Sequence, residues 1–150
     1  MSADPSGGEE ELRRLVLAYQ QYQNQADAIV RQLSITQLTA EGLERAAKAV
    51  DALGSASDGQ EMLVPIGSGS FLHARLASTD KIVLNVGAGV SIEKTAADAK
   101  EDLKIRQAEV TEGSKKLSEI LSRIDQEMQR IQAILNKYEQ QESGGGQKVV

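Results

Sequence analysis

The sequence predicts an α+β protein, mainly α-helical, in which a long antiparallel two-helix coiled coil is joined by two β-hairpins that form a multi-subunit β-barrel. The helices are indicated by apolar residues that repeat in heptads on both sides of the chain's centre, because a 3.5-residue repeat keeps one seam facing a partner helix. The centre is rich in glycine, and its apolar period becomes two, as in strands. The 150 residues include one phenylalanine and no tryptophan, so we expect surfaces and assembly, rather than a globular core, to carry the function.

The first helix is expected over residues 9–53, after a polar lead-in at 1–8 that we expect to be disordered. Ser6 followed by Glu9 matches a capping box at the start of the helix. Gly54 ends the helix, and residues 54–60 form a loop. The predicted seam of this helix consists of apolar or small residues at alternating steps of three and four: Leu12, Leu15, Tyr19, Tyr22, Ala26, Ile29, Leu33, Thr36, Ala40, Leu43, Ala47 and Val50.

Residues 61–92 are expected to form the two hairpins, because four short apolar runs are separated there by glycine turns and a Ser-Thr-Asp segment. Pro65 has no backbone N–H, so the first strand lies at an edge or carries a bulge. Four strands make a poor isolated sheet, and closing them into a barrel with other subunits would remove the open edges. The candidate oligomerisation residues are Leu63, Val64, Ile66, Phe71, Leu72, Leu76, Ile82, Leu84 and Val86.

The second helix is expected over residues 93–141, followed by a flexible tail at 142–150. Its seam is interrupted by Arg106, Gly113 and Glu127, and otherwise runs through Ile92, Ala96, Ala99, Leu103, Val110, Leu117, Ile120, Ile124, Ile131, Ile134 and Tyr138. Either the two helices pair with each other or each pairs with another copy. A short connection favours the pairing within one chain, which places Leu12 opposite Tyr138 and Val50 opposite Ala99.

No constellation of residues indicates an enzyme, a cofactor or a metal site. Gly87-Ala88-Gly89 superficially resembles a dinucleotide fingerprint, but Ile92 stands where a third glycine or alanine belongs and no parallel strand follows. A glycine turn is the better interpretation. His73 is the only histidine and there are no cysteines, so neither a histidine-based nor a thiolate metal site is available.

The charge pattern argues against nucleic acid as a partner, and the lengths of the apolar runs argue against a membrane. The net charge is −5, with both signs interspersed, whereas phosphate binding needs clustered lysine and arginine. No apolar run approaches the roughly 20 residues that a membrane span requires, and the polar, acidic start shows no signal peptide. The lack of cysteine fits a reducing compartment, so we expect a cytoplasmic protein.

Apolar residues also stand beside the seam near the free ends of the helices. A two-helix coil does not bury both flanks of its seam, so such residues indicate contact with another molecule. The alternative is a local broadening of the seam. The candidate contact residues at these ends are Leu12, Leu15, Val16, Leu17, Ile134, Leu135 and Tyr138.

The segment LVPIGSGSFLHARL (Leu63–Leu76), followed by VGAGVSIEK (Val86–Lys94) and set between two coiled-coil helices, resembles the α class of archaeal prefoldin over Glu9–Tyr138. The resemblance implies a chaperone that hydrolyses no ATP, in which two alpha and four beta subunits assemble through a double β-barrel. It also implies that the coiled-coil tips hold non-native proteins and deliver them to a group II chaperonin. The alternative function is a structural coiled-coil adaptor or tether that binds one folded partner.

Overall fold

A computed structural model describes residues 5–145 of the chain; residues 1–4 and 146–150 lie outside the described part. The elements in chain order are helix α1 (Pro5–Leu53), strands β1 (Glu61–Gly67), β2 (Ser70–Arg75), β3 (Lys81–Gly87) and β4 (Val90–Thr95), and helix α2 (Ala96–Gly145). The chain divides into two compact units. We call residues 5–36 with 113–145 the helix-pair unit, and residues 37–112 the hairpin unit.

Both helices extend further towards the chain ends than their caps suggested. Helix α1 begins at Pro5, so residues 5–8 of the expected lead-in are helical; a proline suits the first turn because its backbone has no N–H to leave unpaired. Helix α2 continues beyond residue 141 to Gly145. The remainder of the expected lead-in and tail lies outside the described residues.

Helix α2 begins at Ala96, so the expected start at residue 93 is corrected. Strand β4 runs to Thr95, which pairs with Lys81 at the far end of the hairpin. The Thr95 hydroxyl then accepts a hydrogen bond from the backbone N–H of Asp98 at 3.2 Å, which makes Thr95 the N-cap of the helix. Ile92 is therefore a strand residue and not the first position of the seam.

In the helix-pair unit, the two helical segments pack against each other in antiparallel sense. The predicted seam residues of α1 from Leu12 to Thr36 are half-buried, and on α2 the side chains of Ile124 and Ile131 are only 7% and 6% exposed. The hydroxyl of Tyr138 donates a hydrogen bond to the Glu11 carboxylate at 3.2 Å. This contact confirms the predicted pairing within one chain.

Part of the predicted seam on α2 is wrong. Ile120 is 42% exposed and Gly113 is exposed, whereas their neighbours Leu121 and Ser114 are half-buried. An α-helix with 3.6 residues per turn drifts by about 20° per heptad against a strict 3.5-residue repeat. The contact face therefore includes the next residue at these two positions, while Leu117 between them stays half-buried as predicted.

Polar residues on the seam find partners within their own helices. The hydroxyl of Thr36 donates to the carbonyl oxygen of Gln32 at 2.8 Å. The Glu127 carboxylate lies 3.9 Å from the Arg130 guanidinium, one turn away on the same helix. Both of these polar side chains thus have a partner on their own helix.

The hairpin unit contains two separate two-stranded antiparallel sheets, β1–β2 and β3–β4. Each has a register shift just before its turn, between Pro65 and Gly67 in the first and between Asn85 and Gly87 in the second. In the second turn Ala88 has a φ of 51°, flanked by glycines that also have positive φ. The Gly87-Ala88-Gly89 segment is thus a hairpin turn, as predicted. The first strand, for which an edge position or a bulge was expected at Pro65, has one neighbouring strand within residues 5–145 and shifts register just after this proline.

The core of the hairpin unit lies where the second hairpin meets the helices. Leu84, Ala99 and Leu103 are 8%, 0% and 2% exposed. The Lys94 ammonium forms an ion pair with the Asp102 carboxylate, which links β4 to α2. The Lys100 ammonium lies 2.7 Å from the Asp51 carboxylate and links α2 to α1 in antiparallel sense.

Candidate functional site

A cleft at the chain ends of the helix-pair unit brings together residues from α1 and α2. We call it the terminal cleft; it has a volume of about 560 Å³. Four of its residues have apolar or aromatic side chains, and three are glutamates. The lining residues are Gly8, Glu9, Leu12, Val16, Gln132, Leu135, Tyr138, Glu139 and Glu142.

The terminal cleft collects four of the seven end residues that the sequence singled out: Leu12, Val16, Leu135 and Tyr138. Val16 is 48% exposed, and the other three are half-buried. The heptad explains this arrangement, since Leu12 and Tyr138 are seam residues while Val16 and Leu135 stand on the flank of the seam. The flank residues leave apolar surface accessible to another molecule.

The remaining candidates lie elsewhere at the same end. Leu17 is 59% exposed and lines a separate shallow depression on α1 with Leu12, Arg13 and Val16. Leu15 and Ile134 are half-buried seam residues that do not line the terminal cleft. Their side chains are thus used mainly in pairing the helices.

Tyr138 forms one wall of the cleft and is held in place from α1. Its hydroxyl donates to the Glu11 carboxylate at 3.2 Å, and this hydrogen bond, with smaller effects of desolvation and of the negative charge of Glu11, raises the pKa of Tyr138 above 10.0. The hydroxyl therefore stays protonated through the neutral range and remains a hydrogen-bond donor. Glu11, unlike Glu9, is engaged by this contact.

A second candidate surface is the β1–β2 hairpin, which exposes apolar side chains on both faces. Val64 and Leu72 face each other across the strands on one side and are 38% and 57% exposed. On the other side Phe71 is the partner of Pro65 and is 56% exposed. Every residue of β1 is exposed. So much exposed apolar surface on a two-stranded sheet is typical of a surface that contacts another molecule.

The β3–β4 hairpin is covered on part of one face by its own chain. Leu84 is 8% exposed and Ile82 is half-buried, whereas Val83, on the opposite face, is 71% exposed. Of the nine oligomerisation candidates, Leu84 is buried within the chain, and Leu76 and Ile82 are half-buried. The candidates that stay accessible are Leu63, Val64, Ile66, Phe71, Leu72 and Val86.

Three further accessible apolar residues, which the sequence pattern did not indicate, lie next to these candidates. Met62, Val90 and Ile92 are 44%, 52% and 40% exposed. Ile92 had been assigned to the helix seam, and its position opposite Leu84 follows only from the strand register. Met62 also borders a crevice of about 240 Å³ at the base of the first hairpin, lined by Ala49, Ala52, Leu53, Ala56, Gln60 and Leu76. The small alanine side chains give no periodic signal for such a crevice.

Metal-binding clusters and membrane-spanning helices are both absent from the part of the chain that the structure describes. Within residues 5–145 no group of three or more histidine, cysteine, aspartate or glutamate residues is placed to hold a metal ion. No helix in that range is long and apolar enough to cross a membrane. His73 is exposed and lies opposite Leu63 in the first hairpin.

These features define a class of protein: a chain of two long paired helices with two β-hairpins between them that expose apolar side chains. The prefoldin subunit family model matches residues 19–141, and the chain belongs to the prefoldin family. It is 53% identical to the prefoldin subunit alpha of Methanothrix thermoacetophila over 118 residues, which cover 79% of this chain and 77% of that protein. It is 34% identical to the prefoldin subunit alpha of Methanococcoides burtonii, over 83% of this chain and 91% of that protein.

Solved structures show the same fold. Filamentous PFD from Methanocaldococcus jannaschii matches with a TM-score of 0.66 at 19% identity, over 77% of this chain and 96% of that chain. The prefoldin beta subunit from Thermococcus strain KS-1 matches with a TM-score of 0.56 at 14% identity, over 91% and 95% of the two chains.

The family membership confirms the predicted resemblance. Prefoldins are chaperones and not enzymes, so this chain is a non-enzymatic chaperone subunit. The family forms oligomers with beta subunits. The alternative function, an adaptor that tethers one folded partner, receives no support from these relatives.

Proposed function

We propose that this chain is the alpha subunit of a cytoplasmic chaperone particle that holds non-native proteins without ATP and passes them to a group II chaperonin. Two alpha and four beta subunits assemble in this proposal, and the client is bound at the terminal clefts. The observation that carries it is the apolar surface that the exposed Val16 and the half-buried Leu135 leave in the terminal cleft of a chain that belongs to a chaperone family.

The assembly part of the proposal rests on the hairpins. Within the described residues each hairpin is a two-stranded sheet without a third strand, and an isolated two-stranded sheet is marginally stable in water. Val64, Leu72 and Phe71 leave apolar surface open on both faces of the first hairpin. Closing several such hairpins into one barrel would pair their edges and bury this surface.

The client part of the proposal rests on weak, repeated contacts. The terminal cleft is open and shallow, so one cleft alone would hold a client loosely. Several clefts on one particle raise the effective concentration of binding sites, and overall binding then exceeds that of each site. A non-native protein exposes several apolar segments, and these match such an arrangement.

Aggregation of a guanidinium-denatured client, diluted into buffer without ATP, tests the client site. We expect the assembled particle to suppress light scattering, and we expect partial loss when Val16, Leu17 and Leu135 are replaced together by serine. Deleting residues 1–17 and 135–150 should abolish suppression while the particle still forms. The matched control replaces Val30, Ile105 and Ile120 by serine, since these side chains are similarly exposed, at 49%, 51% and 42%, but lie away from the cleft. Equal loss in the control would reject the terminal cleft as the client site.

The mass of the particle formed with beta subunits tests the assembly surface. Leu72→Asp places a charge on the exposed apolar face of the first hairpin, and we expect it to prevent assembly while helical circular dichroism is retained. Val83→Asp is the control, because Val83 is exposed on a face that it shares with Asn85 and Glu93. A particle of full mass with Leu72→Asp would contradict the proposed role of this hairpin.

A further inference from the structure

We propose that the terminal cleft selects segments of non-native protein in which apolar side chains stand next to lysine or arginine; this inference rests on the proposed client-binding role of the cleft. Its apolar residues, Leu12, Val16, Leu135 and Tyr138, share one concave surface with three glutamates and with no basic side chain. A partner that fits this surface has to satisfy both its apolar floor and its negative rim.

No ion pair among residues 5–145 compensates the negative charge of the rim. Glu9, Glu139 and Glu142 are exposed, and none of them forms an ion pair with another residue in the range 5–145. Glu139 and Glu142 stand three residues apart on α2, so their carboxylates are neighbours on one helix face and repel each other. A cation placed between them would relieve this repulsion.

Lysine and arginine suit the cleft better than a simple cation would. Their aliphatic stems can lie along the apolar floor formed by Val16 and Leu135 while their charged heads reach the carboxylates. A segment with acidic side chains would bring like charges to the rim. The cleft therefore discriminates among segments that have the same apolar content.

The neighbouring depression on α1 provides an internal comparison. It shares Leu12 and Val16 with the terminal cleft but is completed by Leu17 and Arg13, and no carboxylate lines it. Two apolar surfaces at the same helix end thus differ in the sign of their charge. Binding governed by apolar area alone would treat the two surfaces alike.

A fluorescent reporter in the cleft tests the selectivity directly. The chain has no cysteine, so Gln132→Cys, which lies in the lining, carries an environment-sensitive dye at a unique site in the full-length chain before assembly with beta subunits. The probes are three disordered peptides with identical leucine and phenylalanine positions, separated by lysine, serine or glutamate. We expect the lysine peptide to bind about five- to tenfold more tightly than the serine peptide, since exposed charge pairs contribute modestly, and the glutamate peptide to bind most weakly. High salt should reduce these differences.

Replacing Glu9, Glu139 and Glu142 together by glutamine should bring the affinity for the lysine peptide down to that for the serine peptide. The control replaces Glu101, Glu109 and Glu112 by glutamine, which changes the charge equally at exposed positions away from the cleft, and it should keep the preference. Equal affinities for the three peptides, or a preference that survives the first triple variant, would overturn the inference. In that case continued binding of the serine peptide would leave the proposed client site intact, whereas no response to any peptide would overturn both.

Discussion

The two hairpins have the same strand lengths and registers but differ in how much of their surface is buried. Lys81 lies 20 residues after Glu61, and the two hairpins have matching strand lengths and registers from there on. Gly67 and Gly87 both have a φ of 106°, and the register shift precedes both turns. Yet every residue of β1 is exposed, whereas β3 contributes Leu84 to the core of the hairpin unit.

The difference lies in how the side chains divide between the two faces. The second hairpin has one face with Ile82, Leu84 and Ile92, whereas on the opposite face Val83 stands among Asn85, Ser91 and Glu93, so a cover over the first face meets most of its apolar side chains. The first hairpin carries Leu63 and Phe71 on the face opposite Val64 and Leu72, so covering one side would still leave apolar surface exposed. The glycine turns therefore determine the backbone, and the face pattern determines whether a hairpin belongs to its own chain's core or remains available to partners.

The largest difference in the free energy of unfolding is expected between alanine substitutions at Leu84 and at Leu72. We expect Leu84→Ala to lower the free energy of unfolding of the chain without beta subunits by about 2–4 kcal/mol, because a buried leucine leaves a cavity. Leu72→Ala should change it by less than about 0.5 kcal/mol, since this leucine is 57% exposed. Urea denaturation followed by circular dichroism measures both values. Equal losses would show that the first hairpin is also packed within the single chain.

A smaller difference is expected between the ion pairs of the two hairpins. Lys94 and Asp102 join the second hairpin to α2 with side chains 26% and 31% exposed, so Asp102→Asn leaves a half-buried ammonium without its partner. We expect a loss of about 1–3 kcal/mol in the free energy of unfolding. Glu61 and Arg75 pair across the first hairpin at 3.4 Å with both side chains 76% exposed, and Glu61→Gln should cost less than about 0.5 kcal/mol. A double-mutant cycle at each pair would show whether the coupling energies rank in this order.

Glycine substitutions in the two turns should destabilise the two hairpins equally. Gly67→Ala and Gly87→Ala each place a side chain at positive φ, with nothing within 4 Å of the added methyl group, so the cost is one of backbone conformation alone. We expect each variant to lose about 1–2 kcal/mol, with equal values within error. Unequal losses in thermal unfolding would mean that the turns, and not only the faces, distinguish the two hairpins.

Replacing glycine by alanine should raise, rather than lower, the free energy of unfolding when the glycine lies inside a helix. Gly113 lies within α2 without a positive φ, and an added methyl group meets nothing within 4 Å. Gly113→Ala is therefore expected to raise the free energy of unfolding by up to about 1 kcal/mol. Hydrogen exchange should slow at the amides around residue 113. Unchanged exchange there would indicate that the glycine is not a weak point of the helix.

Much of the helix-pair unit follows from the pattern of its residues. The positions from Leu12 to Thr36 that the heptad assigns to the seam are half-buried, and the predicted pairing near Leu12 and Tyr138 agrees with the hydrogen bond from Tyr138 to Glu11. The prediction failed at Ile120, where a strict repeat was extended along a helix that drifts from it. It also failed at the start of α2, where Thr95 both ends a strand and caps a helix.

The sequence by itself determined the helices, the hairpins and the turns, because these depend on local rules. Helices follow from a 3.5-residue apolar period, strands from a two-residue apolar period, and turns from glycine at positive φ. Tertiary structure decided how far Leu84 is covered, and that Glu9 of α1 shares one cleft with Glu139 and Glu142 of α2. Burial and charge clustering depend on which residues, distant in the chain, come together. A residue's own neighbours in the chain carry little information about which distant residues come together.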